Sequence, residues 1–473
     1  MIRQASTNNK KLISMAVAAL LLSGCQSIWP DYQRPKVAVP AVYDQQANQE
    51  NSQLSKTWWT LYQDQVLNDL VAKAVQNNSD IKLSVARIEE ADAVLREVGA
   101  ALLPQIDLNS ATSRTRATTT GATTVFANNP RSNFNAQLRT SFEIDFWGKL
   151  SRTKEAARAQ ALSTRYAKDT VALSLAGLVA SNYLLLRSLD SQLLLTKVSL
   201  KSREESLALT QRRLEGGVVS ALDVQQAEVA RENLSAQLSD LNRLRSLSLH
   251  QLAVLTGDME LNIASADIQS LPIPPTPPAG LPSALLESRP DVRQAEEQMV
   301  AANANIAVAK AALYPSISLT AGFGGESMQL GDVLKSASRI WTGGLSLNLP
   351  IFDSGKLNAR VDQASAKQKQ VLATYEGVLQ NAFREVNDAL VSLRLQTERE
   401  VALNKAQLAA QKALQISENR YQSGYSAYLE VLDAQRVYND AALTFIQSRQ
   451  ARLVATVSLF KALGGGWQAS TVQ

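Results

Sequence analysis

Arg213 to Gln226 (RLEGGVVSALDVQQ) and Asn419 to Arg436 (NRYQSGYSAYLEVLDAQR) each read as a helix end, a glycine turn and the start of a second helix. The copies lie 207 residues apart: Arg213 matches Arg420, Gly217 matches Gly424, Leu222 matches Leu429 and Val224 matches Val431. At the same offset Ala227 matches Ala434, Leu252 matches Leu459 and Gly257 matches Gly464. A duplicated hairpin tip implies a duplicated architecture around it.

The flanking segments carry the same duplication. Thr57 to Pro104 reads as a helix without internal proline, with Leu67, Leu70, Val71, Ala74 and Val75 on one face and Leu103-Pro104 as its stop. Pro282 to Leu313 reads likewise and stops at Tyr314-Pro315. Strands follow in both halves. From Phe134 to Phe146 the apolar set Phe134, Ala136, Leu138, Thr140, Phe142, Ile144 and Phe146 alternates with polar Asn135, Gln137, Arg139, Ser141, Glu143 and Asp145. A period of two puts these sets on opposite faces of a sheet. Gln105 to Thr115 is its partner strand, with a weaker pattern. In the second half Ile317, Leu319, Ala321 and Phe323 alternate with small residues, and Trp341, Gly343, Leu345, Leu347, Leu349 and Ile351 do the same.

Gly148-Lys149 and Gly355-Lys356 then open two long helices, ending near Leu214 and Gln422. At ~1.5 Å per residue each would span roughly 100 Å, far more than a globular domain requires. The return helices run from about Ser220 to Leu255, with a stripe of Leu234, Leu238, Leu241, Leu244 and Leu247, and from Tyr428 to Leu463. Ser220 with Asp223 reads as an N-cap pair, so Asp223 needs no further role. Each half is thus helix, two strands, very long helix, turn, helix.

At the N-terminus, Arg3, Lys10 and Lys11 precede an apolar run from Leu12 to Leu22 and then Ser23-Gly24-Cys25, a secretory signal followed by the chain's single cysteine. Loss of those three cations lowers the net charge from +5 to +2, which gives no basic surface for nucleic acid. The end of the signal resembles a bacterial lipoprotein signal, which implies acylation of Cys25 and, with Gln26 after it, the outer membrane. The expected organisation is a signal peptide over 1–24, a lipidated arm over 25–60, a first repeat over 61–266, a proline-rich linker over 267–282, a second repeat over 283–466 and a tail over 467–473.

No stretch after the signal reaches the ~18 apolar residues of a spanning helix, so any membrane crossing falls to the strands. Four strands of about 11 residues suit an outer membrane, but the smallest such barrels have about eight. An open edge in lipid leaves backbone groups unpaired at several kcal/mol each, so a barrel here must be shared between chains. Two chains would give an interior filled by side chains; three would give a larger barrel with room for a lumen.

The motifs resemble the outer-membrane factor lipoproteins of tripartite efflux pumps, the TolC-like group. The resemblance rests on Tyr32-Gln33-Arg34-Pro35, Trp58-Trp59, Leu103-Pro104, Asp145-Phe146-Trp147-Gly148-Lys149 and Ser288-Arg289-Pro290-Asp291. It continues through Tyr314-Pro315, Gly355-Lys356, Asn419-Arg420-Tyr421, Leu432-Asp433-Ala434-Gln435-Arg436 and Lys461 to Trp467. It implies a mainly α chain with a small β part, and a homotrimer with a 12-stranded outer-membrane barrel continued by a periplasmic helical barrel. It also implies a periplasmic adaptor docked at the tips around Gly217 and Gly424 and an inner-membrane transporter of the RND type. The function so implied is a passive exit duct for drugs or other small toxic compounds. The same fold would serve a type I protein or peptide secretion system.

By the same resemblance, Asp433 and Leu429 constrict the periplasmic end, and Tyr421 ties the second hairpin to its neighbour. The next position, often Arg in such proteins, is Gln422 here. Asp433 and Leu429 are four apart and share a helix face. Read without the resemblance, Asp433 is a solvated acid in the first turns of a helix and Leu429 an interhelical packing residue. No enzyme, cofactor or metal site is indicated. His250, the single histidine, lies in a leucine-rich helix, and the glycines from Gly322 to Gly325 lack the strand–loop–helix context of a phosphate loop.

Overall fold

The computed structural model describes residues 29, 32–35, 56–118, 120, 129–276 and 289–467. Cys25, the signal segment and the last six residues of the tail lie outside them. The chain divides into two compact units, one of Met1–Lys36, Ile88–Thr164 and Ala295–Tyr375, the other of Val37–Arg87, Arg165–Gln294 and Glu376–Gln473. The α-helices are α1 (Gln65–Asn77), α2 (Ser79–Ala100), α3 (Lys149–Glu215), α4 (Ala221–Thr256), α5 (Pro290–Ala311), α6 (Lys356–Gln422) and α7 (Tyr428–Ala462). The strands are β1 (Gln105–Thr115), β2 (Arg131–Ile144), β3 (Ser316–Ser327) and β4 (Arg339–Asn348). The two long helices, α3 and α6, are both 67 residues.

The first unit holds one antiparallel sheet in the order β1-β2-β3-β4. The register pairs Leu108 with Leu138, Leu138 with Phe323 and Phe323 with Trp341, so one row of large apolar side chains crosses all four strands. These four are 51–79% exposed. The charged pair Asp107 and Arg139 stands in register on the opposite face. On that face glycine makes room: a Cβ on Gly324 would lie 2.6 Å from Cα of Gln137 and 2.8 Å from its Cγ. Gln137 is accordingly buried, its Oε1 accepting from Arg139 Nε at 3.2 Å, although its residue type reads as solvent-facing. Leu349, Pro350 and Ile351 continue the alternation in sequence but fall beyond β4, which ends at Asn348.

Below the strands Trp29 is fixed from several sides. Its indole donates to the carbonyl of Trp147 at 3.0 Å, its own carbonyl accepts from Arg152 at 3.1 Å, and its ring meets Tyr314 edge-on at 5.9 Å. Arg34 makes a two-point pair with Glu296, at 2.5 and 2.8 Å.

The second unit is built on a core from five segments: Trp58, Tyr62, Leu67, Leu70 and Val71; Val179, Tyr183, Leu184 and Leu186 of α3; Leu252 of α4; Ile263 and Ile268; and Leu453, Val457 and Phe460 of α7. Trp58 stacks on Phe460 with centroids 5.4 Å apart, and the Tyr62 hydroxyl donates to the Leu453 carbonyl at 3.1 Å.

Several sequence expectations require correction. The helix expected from Thr57 is a 3-10 turn, Trp58–Tyr62, then α1, then α2. Asp64 caps α1 by accepting from Val66 and Leu67, and Asn78, with ψ of 138°, ends α1 while its side chain accepts from the Asp80 amide that begins α2. Asx residues that offer side-chain acceptors to the backbone break helices without proline or glycine. Val75 and Leu247 are 39% and 52% exposed, outside the stripes assigned to them. Finally, α3 does contain an 18-residue window long and apolar enough to span a membrane by composition. Leu175, Ala176, Val179, Ala180 and Leu184 of this helix are buried in the core, while Leu178 and Leu185 are exposed.

Candidate functional site at the helical tips

The two tips are closed by the same backbone device. At the first, Gly217 has φ of +73°, and the amides of Gly217 and Val218 donate to the carbonyls of Leu214 and Arg213 at 2.9 and 2.8 Å. At the second, Gly424 has φ of +82°, and Gly424 and Tyr425 donate to Tyr421 and Arg420 at 3.1 and 2.9 Å. A left-handed residue directly after a helix satisfies its last carbonyls, and glycine takes that conformation without steric cost. The residue after each glycine then projects outward: Val218 is 73% exposed and Tyr425 79%.

The restarts differ. Ser220 and Asp223 form a reciprocal capping box on α4. Ala427 gives α7 no side-chain cap, and the second tip is tied by an ion pair between Arg420 and Glu430 at 3.1 Å.

Behind the tips, Ala227, Tyr421, Tyr428 and Val431 form a small core flanked by Leu207, Leu209 and Leu432. Tyr421 and Tyr428 have ring centroids 5.6 Å apart, and the Arg213 guanidinium lies 4.4 Å from the Tyr421 centroid. A cation over an aromatic face is attracted by the ring quadrupole. Tyr421 thus joins the end of α6 to the end of α3 within one chain. Burial pushes the Tyr428 phenol above its ordinary range, although the neighbouring Arg203 opposes the shift. Gln422 is exposed at the last position of α6.

Leu429 is 58% exposed, and the Asp433 side chain 62%. Asp433 is not alone: Arg436, one turn on, reaches it at 2.7 Å and approaches Asp440 at 4.0 Å. These residues line a groove of about 620 Å³ between α4 and α7, with Arg203 of α3 also in its wall. Arg213, Tyr428, Arg203 and Arg436 were given no site role from sequence. The match of Arg213 to Arg420 in the repeat and the three-residue spacing of Asp433 and Arg436 were available signals for two of them.

A four-stranded sheet with an exposed apolar face, joined through 67-residue helices to duplicated glycine tips, describes an outer-membrane channel protein. Residues 70–258 and 281–465 match the outer membrane efflux protein family, and the chain belongs to it. It is 34% identical to the probable efflux pump outer membrane protein TtgC of Pseudomonas putida, over 98% of this chain and 97% of that one. It is 33% identical to the cation efflux system protein CusC of Escherichia coli, over 96% of this chain and 99% of that one. Its fold matches the open state of the MtrE outer membrane channel of Neisseria gonorrhoeae with a TM-score of 0.84 and 29% identity, covering 95% of this chain and all of that one. The expected fold class, a mainly helical chain with a small antiparallel sheet and an internal repeat, stands, as does the outer-membrane efflux reading.

Proposed function

We propose that three copies of this chain form the gated exit duct of a tripartite pump for small toxic compounds. The observation that carries this reading is the pair of open sheet edges. β1 and β4 each have one strand neighbour, and the sheet carries an exposed apolar row. In lipid those edges must pair, and four strands are half of the smallest barrel at about eight. Joining β4 of one copy to β1 of the next completes a ring, and three copies leave space for a lumen where two leave little.

The expected organisation of arm, repeats, linker and tail goes with this reading, with Cys25 as an acylated anchor that adds to the barrel's own membrane affinity. The tips at Gly217 and Gly424, with exposed Val218 and Tyr425, suit docking of a periplasmic adaptor, and an inner-membrane RND-type transporter supplies the energy. Leu429 and Asp433 form the periplasmic constriction, with Tyr421 and Gln422 at the base of the hairpin. The duct is passive and performs no catalytic step. Light scattering of detergent-extracted protein tests the assembly: a protein mass of three chains is expected, and a stable one- or two-chain species as the main product overturns it.

A further inference from the structure

The far rim of the sheet carries charges that the duct reading does not use. Every helix meets the sheet at one end: α2 and α5 lead into β1 and β3, and α3 and α6 follow β2 and β4. The opposite rim, where β1 ends and β4 begins, meets the outer leaflet in an outer-membrane channel whose helices extend into the periplasm. From Leu108 to Phe142 the chain has four arginines and no acid. The period of two puts one of them, Arg114 of β1, on the face of Leu108, and puts Arg339 of β4 on the face of Trp341. This is the exposed apolar face. Both arginines are exposed, and neither has a hydrogen-bond or ion-pair partner among the described residues. The acids of the rim are committed elsewhere: Glu326 accepts from Asn133 at 2.8 Å on the opposite face, and Asp332 pairs with Lys335 at 2.5 Å. Trp341, 79% exposed, lies two residues below Arg339, as aromatic side chains do at the edge of the hydrocarbon layer. Arginine on a lipid-facing surface is costly in hydrocarbon and tolerated at headgroup level.

We propose that Arg339 of one copy and Arg114 of the next together bind a phosphate on the headgroup of an outer-leaflet lipid, on the outside of the barrel. The register already has the stagger of a tilted barrel: Gln105 is level with Gly344, so β1 projects beyond β4 at the rim and β4 beyond β1 at the helix end. Joining β4 to β1 of the next copy therefore sets their rim ends side by side at one membrane height, with both arginines on the lipid face. Charge complementarity selects the ligand, because a phosphate has oxygens enough for two guanidinium forks. The inference rests on the ring of copies proposed above, since one chain alone leaves the site incomplete.

The test is native mass spectrometry of the detergent-extracted full-length protein after incubation with diphosphoryl lipid A or with the same lipid stripped of its phosphates. The oligomer is expected to retain the phosphorylated lipid at least about tenfold better, since charge-assisted bonds replace neutral contacts. Arg114→Gln and Arg339→Gln should each lower that preference, the double variant should abolish it, and Arg339→Lys should keep part of it. Arg131→Gln removes a charge at the same rim but on the opposite face, where Arg131 pairs with Thr115, and should change nothing. Equal retention of the two lipids by the unaltered protein overturns the proposal. So does a preference that survives the double variant, or one lost equally in Arg131→Gln. A molar excess of inorganic phosphate should leave the lipid in place; displacement would assign the site to the free anion and overturn the lipid assignment. If one variant does not assemble, the lipid pair on the unaltered protein and the other single variant still decide. The mass of the lipid-free oligomer reads the ring separately. A one- or two-chain species sinks the three-copy duct, whereas a three-chain ring indifferent to lipid phosphate sinks the lipid site alone.

Discussion

Arg245 and Arg452, 207 residues apart, hold matching places in the two repeats, and each grips a buried carboxylate from a long helix. Arg245 reaches Asp190 of α3 at 2.6 Å, and Arg452 reaches Glu400 of α6 at 2.8 Å. Both grips also hold the connecting segment. Arg245 donates to the Ile263 carbonyl at 3.0 Å, and Arg449, which shares Glu400, donates to the Leu271 carbonyl at 2.8 Å. The first part of the connection between the repeats is therefore pinned at two points, Ile263 and Leu271, by these two ion-pair clusters.

Glu400→Gln should loosen this connection. Its side chain is 7% exposed, against 14% and 20% for Arg449 and Arg452, so removing its charge leaves two cations largely desolvated and unmatched. Breaking such a pair costs ~3–5 kcal/mol when fully buried, and about 2–3 kcal/mol is expected here after allowance for the partly exposed arginines. The readouts are a lower denaturant midpoint and faster proteinase K cleavage within residues 263–276. Unchanged values for both would mean that the clamp adds nothing to stability.

Charges on the exposed apolar row should block assembly. Leu138 and Leu347 are 51% and 64% exposed on that face, and Arg near a bilayer midplane costs ~2–4 kcal/mol. Leu138→Arg or Leu347→Arg should reduce heat-resistant oligomer on a gel, whereas Ser346→Arg on the opposite face should not. Gln137, on the same face as Ser346, is unsuitable as a control because it is buried over Gly324. Equal loss for Leu347→Arg and Ser346→Arg would show that the faces are assigned wrongly.

The strands, long helices and tips were legible because each has a period or a punctuation mark: alternation in β2, unbroken helical spacing in α3 and α6, glycine at 217 and 424. What escaped depends on partners distant in sequence. Gln137 is buried because Gly324 faces it, and Val179, Tyr183 and Leu184 of α3 are core because α7 and the segment around Trp58 pack against them. The break at Asn78 carried only the local signal of an Asx cap, weaker than proline. At the tips, sequence placed Leu429 and Asp433 on one face but could not pair Asp433 with Arg436 or bring Arg213 onto Tyr421, since several rotamers fit the same spacing.

Alkaline pH should destabilise the second unit. Burial raises the phenols of Tyr62 and Tyr183 above their ordinary value, and for Tyr183 the hydrogen bond to Asp64 adds to the shift. A group bound more tightly to its proton when folded contributes stability that is fully present below the unfolded value near ~10 and lost as pH rises through the folded value. Melting temperature should therefore fall above about pH 10, and Tyr183→Phe should flatten that fall. A parallel decline in the variant and the unaltered protein would exclude Tyr183 as a cause.

The pairing of Asp433 with Arg436 changes what a gate of this kind should do. On the exposed rim of the groove each chain brings Asp433, Asp440 and Arg436, one negative unit rather than two, with Arg203 buried in the wall behind them. A ring built from such groups attracts cations, but Arg436 masks part of that preference. Asp433→Ala should widen the constriction and weaken cation selectivity, with Arg436 left to Asp440. Arg436→Gln should do the opposite to selectivity, by exposing both acids. Leu429→Ala should raise conductance with little change in ion preference, since Leu429 carries no charge. Planar-bilayer recording in a KCl gradient separates conductance from selectivity for each variant, and the selectivity effects should shrink at high salt as screening shortens to ~3 Å at 1 M. If Arg436→Gln leaves the reversal potential where it was, the ion pair lies off the conduction path and the constriction must be sought nearer Tyr421 and Gln422.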